Sequence, residues 1–455
     1  MVLQAAQSRS APRKNVGALL DRVDEQIANG LVPVEIFADA DIFDLEMERI
    51  FAKSWVFIGF ESEIPNRGDF MQRKIGRDSV IVTRDGKGEI HVMANFCRHR
   101  GTKLCQTDVG NQSHFRCPYH GWVFKNNGDW IGAPDKNKAY KGLDTKEWGL
   151  LKAPHVDSIF GMIFASLDPD APTLLEYLGP AAWMMKGLMD LHPDGMSAMG
   201  PPDRYQVRGD WKTGAENFGG DIYHVSVAHG SVQTIDLAQG FDVLNDHSTH
   251  YVLGGGHSFL GHDFDTMFGE AGHVWYYPPD VLSQFDLGRL DPLLQEVVKK
   301  NPPIVGTIFP NLSFIRFFGP PSPGQPPVVY TSWRQWQPSG PGEMELWSWQ
   351  LKWNFMDDAQ AEASYAAGQY GFSSAGIFEQ DDTVVWEGAP EAARSVWARK
   401  AGAAFNMQMG MEGVGQQTQD HSWEGPGEAY RPGPGEPSQR AFYRHWIDEM
   451  KGARA

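Results

Sequence analysis

The sequence predicts an α+β fold: a small antiparallel β unit inserted after one opening helix, ahead of a larger unit with an antiparallel sheet flanked by helices. Three observations carry that expectation. Helical spacing opens at Ala38–Trp55, short apolar bursts separated by Gly, Asn and Asp pairs run from Val56 to about Pro169, and helical and strand textures then mix to the end. The 455 residues are enough for roughly two to four domains with a buried core. Hydrophobic residues make up 41% and charged residues 21%, ordinary globular usage that excludes collagen-like, coiled-coil and wholly disordered chains.

Taken in order, residues 1–38 read as a tail without the apolar stretch of a secretory signal. Residues 39–55 place Ile42, Leu45, Ile50 and Phe51 at helical spacing behind Asp39 or Asp41 as a cap, and this helix is assigned to the larger unit. Residues 56–172, with DSVIVTR, EIHVMANF and the turn pairs DGKG and NNGD, form the β unit. Residues 173–455 form the larger unit. Its helices are expected at Leu174–Leu191, Asp210–His229 and Met356–Gln369, and its strands at SFIRFF, VVYTSWRQW and EMELWSWQLKW. The Pro/Gly-rich stretch Gly425–Pro437 predicts a strap without regular structure, leading to a last helix, AFYRHWIDEM, that packs on the body or on a neighbouring subunit.

A formal charge of −17 repels phosphate backbones and excludes nucleic acid as a partner. No run approaches 18 apolar residues, so no membrane span is expected. Three cysteines cannot complete a disulfide framework and fit a reducing cytoplasm, the expected location.

The β unit carries Cys97-Arg98-His99 and Cys117-Pro118-Tyr119-His120-Gly121-Trp122. Two thiolates and two imidazoles can hold a tetrahedral zinc, or a cluster in which one iron takes both Cys and the other both His. Two facing loops, each offering both kinds of ligand, suit a diatomic core better than a single metal. CRHRG…CPYHGW resembles the Rieske [2Fe–2S] motif as it occurs in aromatic-ring-hydroxylating oxygenases. Respiratory Rieske proteins carry an extra disulfide-forming Cys in each loop. Here Tyr119 takes the second place and Cys105, read as a small buried side chain, has no mate.

A second constellation, Glu216-Asn217-Phe218-Gly219-Gly220-Asp221-Ile222-Tyr223-His224-Val225-Ser226-Val227-Ala228-His229, sets two histidines five residues apart. At about 100° per residue, an unbroken helix would leave them about 140° apart, so a break or a helix end is expected there. A carboxylate from elsewhere would complete a 2-His-1-carboxylate triad with open positions for dioxygen, and Asp381-Asp382 supplies candidates. Both segments resemble the catalytic part of the large (α) subunits of naphthalene and biphenyl dioxygenases. The resemblance implies His224, His229 and Asp382 as iron ligands, Asn217 beside them, and Asp221 as the bridge between an iron histidine and a cluster histidine, His120, of the next subunit in a trimer.

The same resemblance implies a [2Fe–2S] cluster held by Cys97, His99, Cys117 and His120, a mononuclear Fe(II), and O2 as co-substrate. Electrons would come from NADH through a reductase and a ferredoxin. A small β subunit in an α3β3 assembly, or α3 alone, is expected. The apolar positions Phe218, Val225, Val227, Phe372 and Phe378 predict a greasy pocket and an aromatic hydrocarbon, which the resemblance implies is cis-dihydroxylated. Arg316, on an expected strand, would instead anchor an aromatic acid if it faced the pocket; a surface ion pair is its ordinary fate. Arg98, Arg100, Lys103 and Arg116, set against Asp108 alone, mark a docking face for an acidic ferredoxin. A monooxygenase or demethylase would use the same metals. A zinc-stabilised binding module would contain no acid-labile sulfide.

Overall fold

The computed structural model describes residues 16–234, 247–263, 277–415, 417–431 and 434–452. Over residues 16–38 the expected tail forms helix and strand, which corrects that reading there; residues 1–15 lie outside the described residues. Helix α1 (Val16–Ile27) buries Leu20, Val23 and Ile27, an i, i+3, i+7 stripe that the tail reading overlooked. Leu31–Pro33 then pairs with residues 404–406. Asp39 does cap α2 (Ala40–Glu46), accepting from the backbone of Asp41 and Ile42, and a π turn at Met47–Phe51 prolongs the helix.

Ten strands follow: β1 (Val56–Phe60), β2 (Asp69–Ile75), β3 (Asp78–Arg84), β4 (Ile90–Ala94), β5 (Val109–Asn111), β6 (His114–Arg116), β7 (Val123–Lys125), β8 (Trp130–Gly132), β9 (His155–Ile159) and β10 (Met162–Ser166). They form three antiparallel sheets, ordered β4-β3-β2-β5, β6-β7-β8 and β9-β10-β1. Side chains alternate across the first of these. Phe70, Ile81 and Met93 face a small core that includes all three cysteines, whereas Met71, Val80, Val82 and Val92 join the large core.

The larger part holds α3 (Leu174–Leu178), α4 (Pro180–Met189), β11 (Met196–Ala198), β12 (Asp203–Val207), α5 (Trp211–Phe218), α6 (Val225–Ala228), β13 (Ser248–Val252) and β14 (Ser258–His262). It continues with β15 (Pro303–Ile308), β16 (Leu312–Gly319), β17 (Val328–Gly340), β18 (Glu343–Trp353), α7 (Asp358–Phe372), α8 (Glu379–Trp386), β19 (Thr418–Gln419), β20 (Glu428–Arg431) and α9 (Pro437–Lys451). Its antiparallel sheet is ordered β11-β18-β17-β16-β15-β14-β13-β20-β19, with β12 also on β18. Strand β20 corrects the strap. The Pro-free run EAYR pairs with both β13 and β19, inside a stretch whose composition argued against regular structure.

Helix α9 packs on the body of its own chain, burying Phe442, Tyr443, Trp446, Ile447 and Met450. Trp446 Nε1 and Trp211 Nε1 both donate to the Glu46 carboxylate, at 2.9 and 3.0 Å. Lys212 Nζ lies 2.6 Å from Glu46 Oε1 and 2.7 Å from Asp210 Oδ1, in a cluster where no side chain is more than 4% exposed. One buried cation thus ties α2, α5 and α9 together, and α5 leads directly into the histidine pair.

Candidate functional site

Helix α5 stops at Phe218 because Gly219-Gly220 follows. Gly220 has φ +143°, and a Cβ there would stand 3.0 Å from His250 Nδ1 and 3.1 Å from Ser438 Oγ. The chain resumes as the single turn α6, with His224 at its N-cap and His229 at its C-cap. Ending α6 after one turn, with His229 already outside it, supplies what an unbroken helix could not: the two rings stand 5.2 Å apart. Asp382, in the first turn of α8, completes the group, its Oδ1 being 3.5 Å from His224 Nε2 and 3.2 Å from His229 Nε2. A tight hairpin from α7 delivers it. Gly376 permits that hairpin, since a Cβ there would stand 2.4 Å from the Gly371 carbonyl oxygen.

Each imidazole is also held from behind. His224 Nδ1 lies 2.6 Å from the Asp221 carbonyl oxygen and 3.4 Å from Asp221 Oδ2, and Asn217 Nδ2 donates to that carboxylate at 3.2 Å. His229 Nδ1 lies 3.3 Å from Asp381 Oδ2. Donation from both Nδ1–H groups leaves both Nε2 lone pairs turned toward Asp382, the arrangement of metal-ligating histidines. The acid set aside in favour of Asp382 therefore has its own place, orienting His229. Only the spacing of the pair hinted at it.

Asp382 Oδ1 is buried and accepts no hydrogen bond. Burial opposes ionisation of Asp382, yet His224 and His229 outweigh it and hold the carboxyl down to about 2. Against burial, Asp221 and Asp382 raise His224 well above the usual imidazole value, so the site attracts positive charge. A buried carboxylate oxygen facing two imidazole nitrogens within 3.5 Å fits a divalent iron.

The triad opens on a cavity lined mainly by apolar side chains. Phe218, Val225, Phe372 and Phe378 line it, with Asn217 beside the metal group. Val227 does not: its side chain is 82% exposed on the outer side of α6, which corrects its assignment to the pocket. Ile222, just before α6, and Ile304, Val305, Ile315 and Phe317, from β15 and β16, complete the described lining and were missed. Strand periodicity pairs Ile315 with Phe317, but nothing local says which face of β16 meets the cavity. Arg316 takes the opposite face and is fully buried there. Its Nε donates to Thr331 Oγ1 (3.0 Å) and its Nη2 to the Leu188 carbonyl (2.5 Å), so it is neither a pocket anchor nor a surface ion pair.

The cysteine loops share one backbone wiring. Cys97 N donates to Thr102 O (2.8 Å) and Gly101 N to Cys97 O (2.9 Å); Cys117 N donates to Trp122 O (2.7 Å) and Gly121 N to Cys117 O (3.1 Å). Each loop closes over five residues, with a glycine at the fourth position after Cys in positive φ, +74° and +67°. The loops bring His99 and His120 to 4.5 Å between ring centroids, and Trp122 stacks on His99 at 5.1 Å. Burial pushes the Cys97 thiol up to about 11, with the Cys117 thiol adding to the rise, so a thiolate at this position calls for metal. His99 Nδ1 is buried without a hydrogen-bond partner. Two thiols and two imidazoles, one with an orphaned nitrogen, fit a mixed-ligand two-iron cluster. Cys105 is buried, its Sγ donating to the Thr107 carbonyl at 3.4 Å. Arg98 turns inward over Trp148 and donates to the Gly149 carbonyl, leaving Arg100, Lys103 and Arg116 exposed.

Residues 54–151 match the family model of the Rieske [2Fe-2S] domain. The chain is 44% identical over 439 residues to the N,N-dimethyl phenylurea N-demethylase subunit alpha of Sphingobium sp. (strain YBL2), covering 95% of this chain and 94% of that one. It is 31% identical to the biphenyl 2,3-dioxygenase subunit alpha of Rhodococcus jostii (strain RHA1), covering 95% and 91%. Naphthalene 1,2-dioxygenase from Rhodococcus sp. bound to indole superposes with a TM-score of 0.90 at 35% identity, over 97% of this chain and all of that one. With two sets of metal-binding side chains in one α+β scaffold and relatives matched over nearly the full length, the chain belongs to the α subunits of the Rieske aromatic-ring-hydroxylating dioxygenases, multicomponent enzymes that use a [2Fe–2S] cluster, mononuclear iron, O2 and NADH-derived electrons.

Proposed function

We infer that this subunit oxidises a neutral, apolar aromatic ring to a cis-dihydrodiol, with His224, His229 and Asp382 holding the ferrous ion and Cys97, His99, Cys117 and His120 the cluster. When bound, these groups supply single electrons and the activation of dioxygen. One observation carries the reading: the triad faces a cavity whose described walls are aliphatic and aromatic, with no charged anchor beyond Asp382 itself. Those walls exclude water and leave the substrate to be placed by shape. Asp221 and Asp381 hold the imidazoles by their Nδ1–H groups, and Asn217 fixes the Asp221 carboxylate.

The Asp221 side chain is 32% exposed and His120 is partly exposed. These two edges suit a head-to-tail trimer in which Asp221 meets a neighbour's cluster histidine. An α3β3 assembly, a division near residues 56 and 172, docking of an acidic ferredoxin at Arg100, Lys103 and Arg116, and a cytoplasmic location belong to the same reading. Among the described residues, no helix is long and apolar enough to cross a membrane.

Similarity to the phenylurea N-demethylase supports a second reading, oxidative loss of an N-methyl group from a neutral aryl urea in the same cavity. Turnover with labelled dioxygen separates the two. Dihydroxylation puts both labelled atoms into the ring of biphenyl or naphthalene. Demethylation of an N,N-dimethyl phenylurea puts one into formaldehyde and one into water. Diol formation without formaldehyde supports the first reading; formaldehyde without diol replaces it with the second.

A further inference from the structure

The pair Arg334–Glu379 lies outside the metal group and the cavity lining, yet touches the ends of α5 and α7 and the first turn of α8. Both side chains are buried, Arg334 at 0% and Glu379 at 1% exposure, and Arg334 Nη2 donates to Glu379 Oε2. Glu379 stands one turn before Asp382 on α8, so the two carboxylates share a helix face. Arg334 rises from β17, and its guanidinium lies 5.1 Å from the Phe218 ring and 5.0 Å from the Phe372 ring. Phe218 ends α5, where the chain turns toward His224; Phe372 ends α7, where it turns toward Asp382. Trp336, at 5.3 Å, adds a third ring, and the Tyr205 hydroxyl lies 3.4 Å from Nη2.

We propose that Arg334 is a positioning residue that sets the distance between the Asp382 carboxylate and the histidine pair, and thereby how firmly iron is retained. Its Nη2 orients the first turn of α8 through Glu379, while its planar faces hold the two phenylalanines that end α5 and α7. Nε and Nη1 have no hydrogen-bond partner in this fully buried position. A cation kept there at that cost is better explained by geometry it imposes than by stability, since an apolar pair of similar volume would fill the space as well. The inference rests on His224, His229 and Asp382 being the iron ligands.

The test compares the parent with R334M/E379M and R334K as cluster-containing holoproteins. It reads the cluster absorption spectrum, the melting temperature and the rate at which the third iron passes to a ferrous chelator. The double variant is expected to keep the cluster spectrum, to melt within about 5 °C of the parent because no buried charge is left unpaired, and to release iron about tenfold or more faster, the usual scale for partners behind metal ligands. Parent-like release from a folded double variant overturns the proposal. If the double variant does not fold, R334K decides: it keeps the charge but not the planar group lying against Phe218 and Phe372, and parent-like release from it overturns the proposal equally. A parent that binds only the two cluster irons refutes the ligand assignment instead, and this inference with it.

Discussion

Replacing Lys212 with Met tests how much the buried ionic cluster contributes to the frame around the site. The change removes the cation lying 2.6 Å from Glu46 and 2.7 Å from Asp210, and leaves two carboxyls, neither more than 4% exposed, without their counter-charge. It also removes an ammonium placed 5.2–5.6 Å from the rings of Phe37, Trp211 and Trp446. Removing one partner from a buried pair costs about 3–5 kcal/mol. At roughly 2.1 cal/mol/K per residue, the 455 residues give an unfolding entropy of about 1 kcal/mol/K, so the melting temperature should fall by about 3–5 °C. The loss should also depend on pH. Burial, opposed by Lys212, already holds Asp210 at about 6 in the parent. Without the ammonium, burial leaves Asp210 with a folded value further above its unfolded one. Such groups favour the native state at low pH and lose that advantage as pH rises through the folded value. The deficit should therefore be greatest near about pH 8 and shrink toward about pH 5. Calorimetric scans of both proteins at fixed rate across that range measure it. A shift under about 1 °C, or a deficit that grows on acidification, would refute this account of the cluster.

Asp382→Asn keeps the shape but removes the negative charge between the histidines; iron beyond the cluster should be lost to a chelator while the cluster spectrum persists, as metal analysis and EPR would show. Gly220→Ala forces a Cβ between His250 and Ser438 at φ +143°; a strain of about 1–3 kcal/mol should lower catalytic iron occupancy, and full occupancy would count against the role given to the helix break. Gly121→Ala, at φ +67° with Pro134 Cγ 3.1 Å from the new methyl, should speed bleaching of the cluster absorption on warming and leave the third iron in place. Phe378→Ala removes a ring stacked on Phe372 at 5.3 Å and set edge-on to His229 at 5.2 Å; larger aromatics should gain in kcat/KM relative to single-ring substrates, measured by product chromatography.

Much of this was legible because it is local. Cys and His spacing identified the loops, and the 3.6-residue period announced that His224 and His229 could not share an unbroken helix. The strands β16 to β18 were visible as long β-branched and aromatic runs. What escaped depends on tertiary context. Arg334 and Glu379 are 45 residues apart and each reads alone as a solvated charge. Arg316 could be placed on a strand, but which face of that strand met the cavity is decided by α5 packing across it. Val227 sits between the pocket-side positions Val225 and His229, and two steps of about 100° from Val225 send its side chain to the outside. The amphipathic stripe of α1 was present in the sequence and was obscured by the polar residues before it.

The glycine-marked interruption between α5 and α6 has a thermodynamic consequence. The two histidines flank the single turn α6, at its N-cap and its C-cap, so the ligand set exists only while that turn stays cut off from α5 and is not prolonged. Whatever binds at Nε2 of both rings adds its binding energy to that local conformation and to little else. Removing the metal should therefore loosen residues 219–229 selectively, seen as faster amide hydrogen exchange there while the sheet keeps its protection.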